Sequence, residues 1–218
     1  VCSSDLFKDL DGDGQITEND RTVIGNTTPK FQGGFGLSGQ WKNFDFTANF
    51  NYMVDFDVYN ATNYMLSSSI SNTNNFYNVL ADFTQKNRWT YVRADGECLY
   101  KNTNIDGSVN EYITMNAGKS LWNPADVEDK VTHSYFVEDG SFLRLQDVTI
   151  GYTLPSNLTK KWGMSKVRFY ASASNLFILT GYSGYDPEVD VQSGLTPSMD
   201  YNRYPRSRSF VFGTNITF

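Results

Sequence analysis

The stretch that decides the fold covers residues 31–53 and reads FQGGFGLSGQWKNFDFTANFNYM. Apolar and polar residues alternate along both halves of it. In the second half the apolar positions are Phe44, Phe46, Ala48, Phe50 and Tyr52. Period-two alternation is typical of a β-strand whose two faces meet different environments. Lys42-Asn43 separates the halves and predicts a tight hairpin turn.

Three further strands are predicted towards the end of the chain, at residues 142–154, 167–179 and 207–218. The apolar phase of the first slips near Gln146-Asp147, which predicts a bulge or a switch of face. The last strand alternates in the same way as residues 44–53. Its apolar face carries Phe210, Phe212, Ile216 and the final Phe218.

The connections between these five strands alternate in length. Residues 42–43 and 155–166 are short connections, whereas residues 55–139 and 181–206 are long ones. Bacterial outer-membrane barrels have short periplasmic turns, long extracellular loops and a periplasmic C-terminus. The sequence therefore predicts an all-β fold: the C-terminal strands, about five, of a large antiparallel transmembrane β-barrel with long extracellular loops. Within residues 55–139 it predicts no more than short helical patches, such as residues 76–88.

Lipid is the expected environment of the apolar faces. The membrane-facing positions predicted on this basis are Phe44, Phe46, Phe50, Tyr52, Phe210, Phe212 and Ile216. Five strands cannot close a barrel, and an open sheet edge is not tolerated in lipid. The remaining strands are therefore expected from sequence outside residues 31–218.

The composition excludes several classes of protein. Aromatic residues make up 16% of the 218 residues, and the net charge of −6 argues against a nucleic-acid-binding surface. No run of eighteen apolar residues occurs, so no transmembrane helix is predicted. Cys2 and Cys98 form no metal or disulfide motif, and His133 is the single histidine.

The first six residues, VCSSDL, have two interpretations. A common sequencing-adapter end encodes them in one reading frame, and they also fit a genuine linker. Because the chain starts without an initiator Met or an export signal, we expect it to be truncated upstream.

Residues 9–20, DLDGDGQITEND, match the spacing of a twelve-position calcium loop. The oxygen ligands would come from Asp9, Asp11, Asp13, the Gln15 carbonyl, Thr17 through a water molecule, and Asp20. The last ligand is Asp rather than the bidentate Glu, so its arm is shorter. Residues 7–30 would then form an extracellular loop that Ca²⁺ stiffens. The alternative is an Asp/Gly-rich turn without a metal.

Other polar residues give no catalytic prediction. His133 with Asp129 or Glu138 lacks a nucleophile motif, and Asp186 and Glu188 fit a turn better than a glycosidase pair. The first long loop is rich in amides and aromatics that could contact a sugar or a partner protein. These residues are Asn60, Asn63, Tyr64, Asn72, Asn74, Asn75, Tyr77, Trp89 and Tyr91.

A series of short stretches resembles the C-terminal region of the SusC/RagA family of TonB-linked outer-membrane proteins. They are DLDGDG at 9–14, DR at 20–21, IGN at 24–26, PKF at 29–31, WKNFD at 41–45, VEDGSFLRL at 137–145, GYTLP at 151–155, SNLF at 174–177, GYSGYDPE at 181–188 and YP at 204–205. The terminal Phe218 resembles the signal read by the barrel-assembly machinery.

The resemblance implies an importer in the outer membrane of a Gram-negative, Bacteroidetes-like bacterium. Members share a barrel of roughly twenty-two strands around a plug, with an N-terminal region, missing here, that contacts TonB. It also implies a SusD-like surface lipoprotein partner and an oligosaccharide or peptide substrate. The alternative is a secreted, calcium-stabilised β-sandwich that binds carbohydrate. An enzyme fragment is a third class, which no residue supports.

Overall fold

The structure is a computed structural model that describes residues 8–14, 17–67, 78–83, 87, 91–92, 98–99, 114–115, 121, 132–188 and 197–218. The strands are β1 (Phe31–Trp41), β2 (Phe44–Val54), β3 (Asp57–Asn60), β4 (Tyr91–Val92), β5 (Cys98–Leu99), β6 (Thr114–Met115), β7 (Val137–Asp139), β8 (Phe142–Thr153), β9 (Lys166–Thr180), β10 (Met199–Asp200) and β11 (Ser209–Thr217). The α-helices are α1 (Ala61–Leu66) and α2 (Ser156–Thr159), and 3-10 turns cover Glu18–Asp20, Ala81–Phe83, Ser134–Phe136 and Lys160–Trp162.

The five long strands form one antiparallel sheet in the order β1-β2-β8-β9-β11. This confirms the predicted strands and the predicted fold class. The strands are 9 to 15 residues long, which is enough for the roughly 9–11 residues that cross a bilayer. Within the described residues β1 and β11 are the two edges of the sheet, so the barrel is not closed by this chain.

The predicted hairpin turn at Lys42-Asn43 is confirmed. Lys42 has a φ of 52°, in the left-handed region that a two-residue hairpin requires. The Asn43 side-chain amide donates to the Thr153 carbonyl at 2.7 Å, and the Thr153 N–H donates to the Asn43 carbonyl at 2.8 Å. These bonds fix the turn against the end of β8.

The predicted irregularity near Gln146 is a bulge. Asn49 lies opposite Asp147, but the next residue of β2, Phe50, lies opposite Leu145. Gln146 is therefore an extra residue, which keeps Leu145 on the apolar face and Asp147 on the opposite face. If residues 145–147 formed a regular strand without the bulge, the alternation would place both side chains on the same face.

One face of the sheet is apolar across all five strands. Directly opposed residues share a face, so the register gives rows such as Leu37-Ala48-Val148-Ala173-Phe210 and Gly39-Phe46-Ile150-Ala171-Phe212. Phe35 and Phe50 stack with ring centroids 4.8 Å apart. Several members are widely exposed, including Phe212 at 80%. A continuous exposed apolar surface of this extent requires an apolar partner.

The opposite face is polar over most of its length and carries a small core at the end where the long connections begin. Phe56, Val58, Phe142 and Tyr182 are buried there, and Met53 and Ile178 pack against them. Burial of such side chains contributes about 1.5–3 kcal/mol each. This core fixes the start of each long connection to the sheet.

The segment 55–139 contains strands that the sequence pattern missed. β3 pairs with β7 in an antiparallel ladder and with β10 in a parallel one, and β4 pairs with both β5 and β6. The prediction of helical patches alone is therefore wrong. Runs of two to four residues are too short for period-two alternation to be read from sequence. Of the predicted helical patch 76–88, the described part holds the 3-10 turn Ala81–Phe83.

The chain divides into two compact units. One comprises residues 1–24 and 61–136, and the other comprises residues 25–60 and 137–218, including the five-stranded sheet. In the first unit the Tyr64 and Phe136 rings meet edge to face at 5.3 Å. No helix among the described residues is both long and apolar enough to cross a membrane.

Alanine at Gly140 is expected to destabilise the small core. A Cβ at this position would lie 2.6 Å from the Val58 Cγ2 and 2.7 Å from the Phe56 ring, so the core must shift. Overpacking of this kind costs about 1–3 kcal/mol. This loss of stability is measured as a decrease in the thermal unfolding midpoint of the receptor that contains this chain. Gly39→Ala is the matched control, because nothing lies within 4 Å of a Cβ there. Equal midpoints for the two variants would contradict the packing.

Candidate functional site

The polar face of the five-stranded sheet is the candidate site. It is lined with amides, hydroxyls and charged groups that β-strand alternation turns away from the apolar face. Its polar residues include Gln32, Ser38, Gln40, Asp45, Thr47, Asn49, Asn51, Arg144, Asp147, Thr149, Thr153, Lys166, Arg168, Ser172, Ser174, Ser209, Asn215 and Thr217. The Asn49 amide donates to the Asp147 carboxylate at 2.7 Å, and the Thr149 and Ser172 hydroxyls lie 2.7 Å apart. At these two positions neighbouring strands satisfy each other's polar groups.

An ion pair crosses three strands on this face. The Arg168 Nε donates to one Asp45 oxygen at 2.9 Å, and its Nη2 donates to the other. Gly151 of the intervening strand lies beneath the pair, and a Cβ there would overlap both side chains. A glycine is needed at this position because the two side chains approach the backbone so closely. The guanidinium also lies 5.3 Å from the Tyr170 ring centroid.

A second charged group, the Arg144 cluster, lies towards the long-connection end of the same face. It consists of Arg144, Asp186, Glu188 and Arg206. The Arg144 Nη2 donates to Asp186 at 2.6 Å, its Nε lies 3.3 Å from Glu188 without hydrogen-bond alignment, and Arg206 donates to Glu188 at 2.8 Å. The Arg144 side chain is 5% exposed, so the guanidinium needs both carboxylates. The cluster holds residues 186–188 onto the polar face.

The segments beside this cluster are joined by hydrogen bonds between polar side chains and backbone groups. Glu138 accepts from the Asn60 amide at 2.9 Å and from the Ser183 N–H at 2.9 Å. The Tyr182 hydroxyl donates to Asp200 at 2.8 Å. Burial, and then this hydrogen bond, raise the pKa of Tyr182 well above its usual range, so the hydroxyl stays protonated as a donor. These bonds join β3, β7 and residues 182–183 and 200.

The predicted calcium loop brings three of its carboxylates together. One oxygen each of Asp9, Asp11 and Asp13 lies within 4.8 Å of the others, a spacing that could hold a metal ion. Gly12 and Gly14 have φ values of 78° and 79°, so glycine permits the two tight bends. Asp9 accepts from the N–H groups of both glycines, at 2.6 and 2.8 Å.

The remaining predicted ligands have other contacts in this conformation. Asp20 accepts from the N–H groups of Thr17 and Leu10, both at 2.7 Å, and Thr17 Oγ1 accepts from the Asn19 N–H at 3.2 Å. These backbone bonds lower the pKa of Asp20, so their stabilising effect is present above the ordinary Asp pKa and is lost as the pH falls through the depressed one. Gln15 lies outside the described residues.

The other candidate residues are placed as follows. His133 packs on Phe136 with ring centroids 4.8 Å apart, and burial lowers the pKa of His133. Asp129 lies outside the described residues. The Glu138 carboxylate accepts hydrogen bonds from the side chains of Asn60 and Ser183. Of the loop residues predicted to contact a sugar or a partner, Asn72, Asn74, Asn75, Tyr77 and Trp89 also lie outside them.

The predicted membrane-facing residues share the apolar face. Phe44, Phe46, Phe210, Phe212 and Ile216 are exposed, and Phe50 and Tyr52 are partly buried by their neighbours. Phe218 follows β11 and is 87% exposed. Contact with lipid and a role for Phe218 in assembly stay predictions.

The chain is similar in sequence to known receptors. No family model matches it. It is 34% identical over 98% of its length to the TonB-dependent receptor P3 of Formosa agariphila, and 28% identical over 98% to the TonB-dependent receptor SusC of Bacteroides thetaiotaomicron. It spans 19% and 17% of these two proteins, about a fifth of the length of the curated relatives.

The fold is also found among solved structures. The RagAB peptide transporter matches 94% of this chain with a TM-score of 0.69 and 24% identity, over 19% of the matched chain. The RagAB peptide importer in its closed-closed state matches 96% with a TM-score of 0.67, over 20% of the matched chain. At this identity the likeness supports the architecture of the sheet.

Proposed function

We propose, from the premise that this chain belongs to the SusC/RagA family of TonB-dependent receptors, that it forms one sector of the wall of an outer-membrane nutrient importer. The apolar face of its sheet meets lipid, and the polar face lines the lumen. The intact receptor takes up oligosaccharides or peptides too large to diffuse through porins, and it does not make or break bonds in its substrate.

The observation that carries this proposal is the division of the sheet into two faces. Across five adjacent strands the directly opposed rows of one face are apolar apart from Thr214, and those of the other are mainly polar outside the small core. The bulge at Gln146 preserves this division. In lipid the backbone groups of each strand must be paired within the barrel, which an antiparallel sheet provides. A wet lumen suits the amides and ion pairs of the polar face.

The partners follow from the family. We propose that the intact receptor is energised through TonB and works with a SusD-like surface lipoprotein. The sequence relatives are named TonB-dependent receptors, and the structural relative is described as a peptide importer, which supports peptides as one of the two substrate classes.

A catalytic role for the carboxylates is disfavoured by their contacts. Asp186 and Glu188 are the pair that a glycosidase interpretation would use, but Arg144 binds both, and Arg206 binds Glu188. Both carboxylates are therefore already occupied by guanidinium groups of the same chain. We therefore propose a structural role for both residues.

The alternative of a secreted β-sandwich requires a second sheet over the apolar face. Among the described residues of the unit that holds the sheet, Phe31, Leu37, Ile150 and Phe212 remain exposed on that face. Their exposure favours the barrel over the sandwich.

Deletion of the whole receptor gene in the bacterium that encodes it tests the proposal. The mutant is grown on glycans or peptides as the sole nutrient and, separately, on their monomers. We expect lost growth on at least one polymer, unchanged growth on its monomer, and rescue by the intact gene but not by a copy unable to contact TonB. Normal growth on every polymer, or a receptor that urea washes from the membrane, would contradict the proposal.

We also propose that residues 9–20 bind one structural Ca²⁺, with Asp9, Asp11 and Asp13 as the first ligands. The clustered carboxylates and the two glycine bends support this proposal. Hard cations prefer such oxygen clusters. Thr17, Asp20 and the Gln15 carbonyl would complete the site if the loop closes around the ion.

Calorimetric titration of the intact, chelator-treated receptor with CaCl₂ measures this site. Asp9→Asn with Asp11→Asn is expected to remove one calcium per chain, because two of the three clustered carboxylates are lost. Glu18→Gln is the control, since Glu18 pairs with Arg21 in the same loop and is not a predicted ligand. Equal stoichiometry in the wild type and the double variant would show that the loop binds no calcium.

A further inference from the structure

The short-connection end of the sheet is built from three segments. The Lys42-Asn43 turn is bonded to Thr153, the N–H of Leu154 donates to the Val167 carbonyl at 2.8 Å, and the N–H of Ser165 donates to Thr217 at 2.8 Å. The residues of this end are therefore 41–45, 151–168 and 213–218, all of them described.

Positive charge is concentrated at this end, although the chain as a whole carries −6. The three segments contain Lys42, Lys160, Lys161, Lys166, Arg168 and a single acidic side chain, Asp45. Arg168 is paired with Asp45. Lys166 belongs to the polar face. Three lysines remain, Lys42, Lys160 and Lys161; all are exposed, and none forms an ion pair within the described residues. We call these three residues the basic collar.

Aromatic residues connect the basic collar to the apolar face. Trp41 ends β1 and is 68% exposed, and Trp162 stands beside Lys160 and Lys161 and is 63% exposed. The Lys42 ammonium lies 4.8 Å from the Trp41 ring centroid. Tryptophan, with an apolar ring and one N–H donor, is suited to the boundary between hydrocarbon and water.

We propose that the basic collar binds the phosphate-bearing headgroups of anionic phospholipids at the membrane surface. This proposal rests on the proposed function, because lipid must surround the apolar face for headgroups to reach the collar. Charge complementarity and continuity with the apolar face carry it. Each lysine near an anionic membrane surface contributes about a fivefold increase in affinity. Several acting together can select anionic lipids over zwitterionic ones.

Native mass spectrometry of the intact receptor in mild detergent tests the proposal. The probes are dioleoylphosphatidylglycerol and dioleoylphosphatidylcholine, added at equal concentration. The variant Lys42→Gln, Lys160→Gln, Lys161→Gln is compared with Lys8→Gln, Arg203→Gln, Arg208→Gln, which removes the same charge from exposed positions outside the collar. We expect the wild type and the control to retain phosphatidylglycerol over phosphatidylcholine, and the collar variant to lose roughly a hundredfold of that preference.

Three results would overturn the proposal. They are an unchanged lipid preference in the collar variant, an equal loss in the control, and displacement of the lipid by inorganic phosphate at the same concentration, which would indicate a small-anion site. If the triple variant does not assemble, Lys160→Gln with Lys161→Gln is measured by the same criteria. Growth on polymers tests import separately. A receptor that imports normally but does not select anionic lipids would contradict lipid binding by the collar and leave the proposed function standing.

Discussion

Leu37→Arg is expected to block assembly of the receptor in a membrane. Leu37 lies near the middle of β1 on the apolar face and is 55% exposed. If that face meets lipid, the substitution places a guanidinium near the bilayer midplane, at a cost of about 2–4 kcal/mol. The measurement is the fraction of intact receptor that folds into lipid vesicles across a urea series, read from its shift on an unheated SDS gel.

Ser38→Arg is the matched control, because Ser38 is the next residue of the same strand and lies on the polar face. Its side chain is exposed, so a long cation there remains in water. We expect this variant to assemble within about 0.5 kcal/mol of the wild type. Equal assembly of the two variants, or a larger defect in Ser38→Arg, would contradict the assignment of the faces.

Arg144→Met is expected to release residues 181–188 from the polar face. Methionine keeps the unbranched stem of the side chain but removes the guanidinium, which leaves Asp186 and Glu188 without their buried cation. Breaking a buried ion pair from one side costs about 3–5 kcal/mol. Hydrogen–deuterium exchange of residues 181–188 in the intact receptor should then rise by roughly a hundredfold or more, since each 1.4 kcal/mol is a factor of ten.

Two further variants distinguish the effect of unpaired buried charge on the exchange from the effect of lost packing. Arg206→Gln removes the outer, half-exposed partner of Glu188, and it should change the exchange by less than about fivefold. Arg144→Met combined with Asp186→Asn and Glu188→Gln removes all three charges, and it should restore most of the protection. If the combined variant exchanged as fast as Arg144→Met alone, unpaired charge would not be the cause.

The long strands could be predicted because their signal is local. Alternation over nine or more residues identifies a strand, and the slip at Gln146 is visible because the apolar phase changes on either side of it. The short strands β3, β7 and β10 gave no such signal. Their pairing depends on contacts with residues far along the chain, such as Tyr59 with Met199.

The charged pairs could not be assigned from the sequence, because their partners are far apart in it. Asp45 and Arg168 are separated by 123 residues, and Arg144 and Asp186 by 42. A charged residue inside an alternating strand does signal a polar face, and Asp45 stands between the apolar positions Phe44 and Phe46. Arg144 gave a similar hint as the one cation within the run FLRL at 142–145. Neither hint identifies a partner.

The calcium loop was predictable in its spacing but not in its conformation. The carboxylates of Asp9, Asp11 and Asp13 come together because the glycines bend the chain between them. Asp20 is instead the third residue of a 3-10 turn, and its carboxylate accepts the backbone N–H of the N-cap residue Thr17 in a capping box. The sequence alone did not distinguish this role from that of a ligand.

Spin-label accessibility along β1 tests the division of the faces most directly. Single cysteines at positions 36–40 of a variant without Cys2 and Cys98 are labelled in the intact receptor, which is then reconstituted into vesicles. We predict that labels at 37 and 39 collide preferentially with oxygen, which partitions into lipid, and that labels at 36, 38 and 40 collide with a water-soluble nickel complex. Equal exposure of all five labels to the nickel complex would contradict the account.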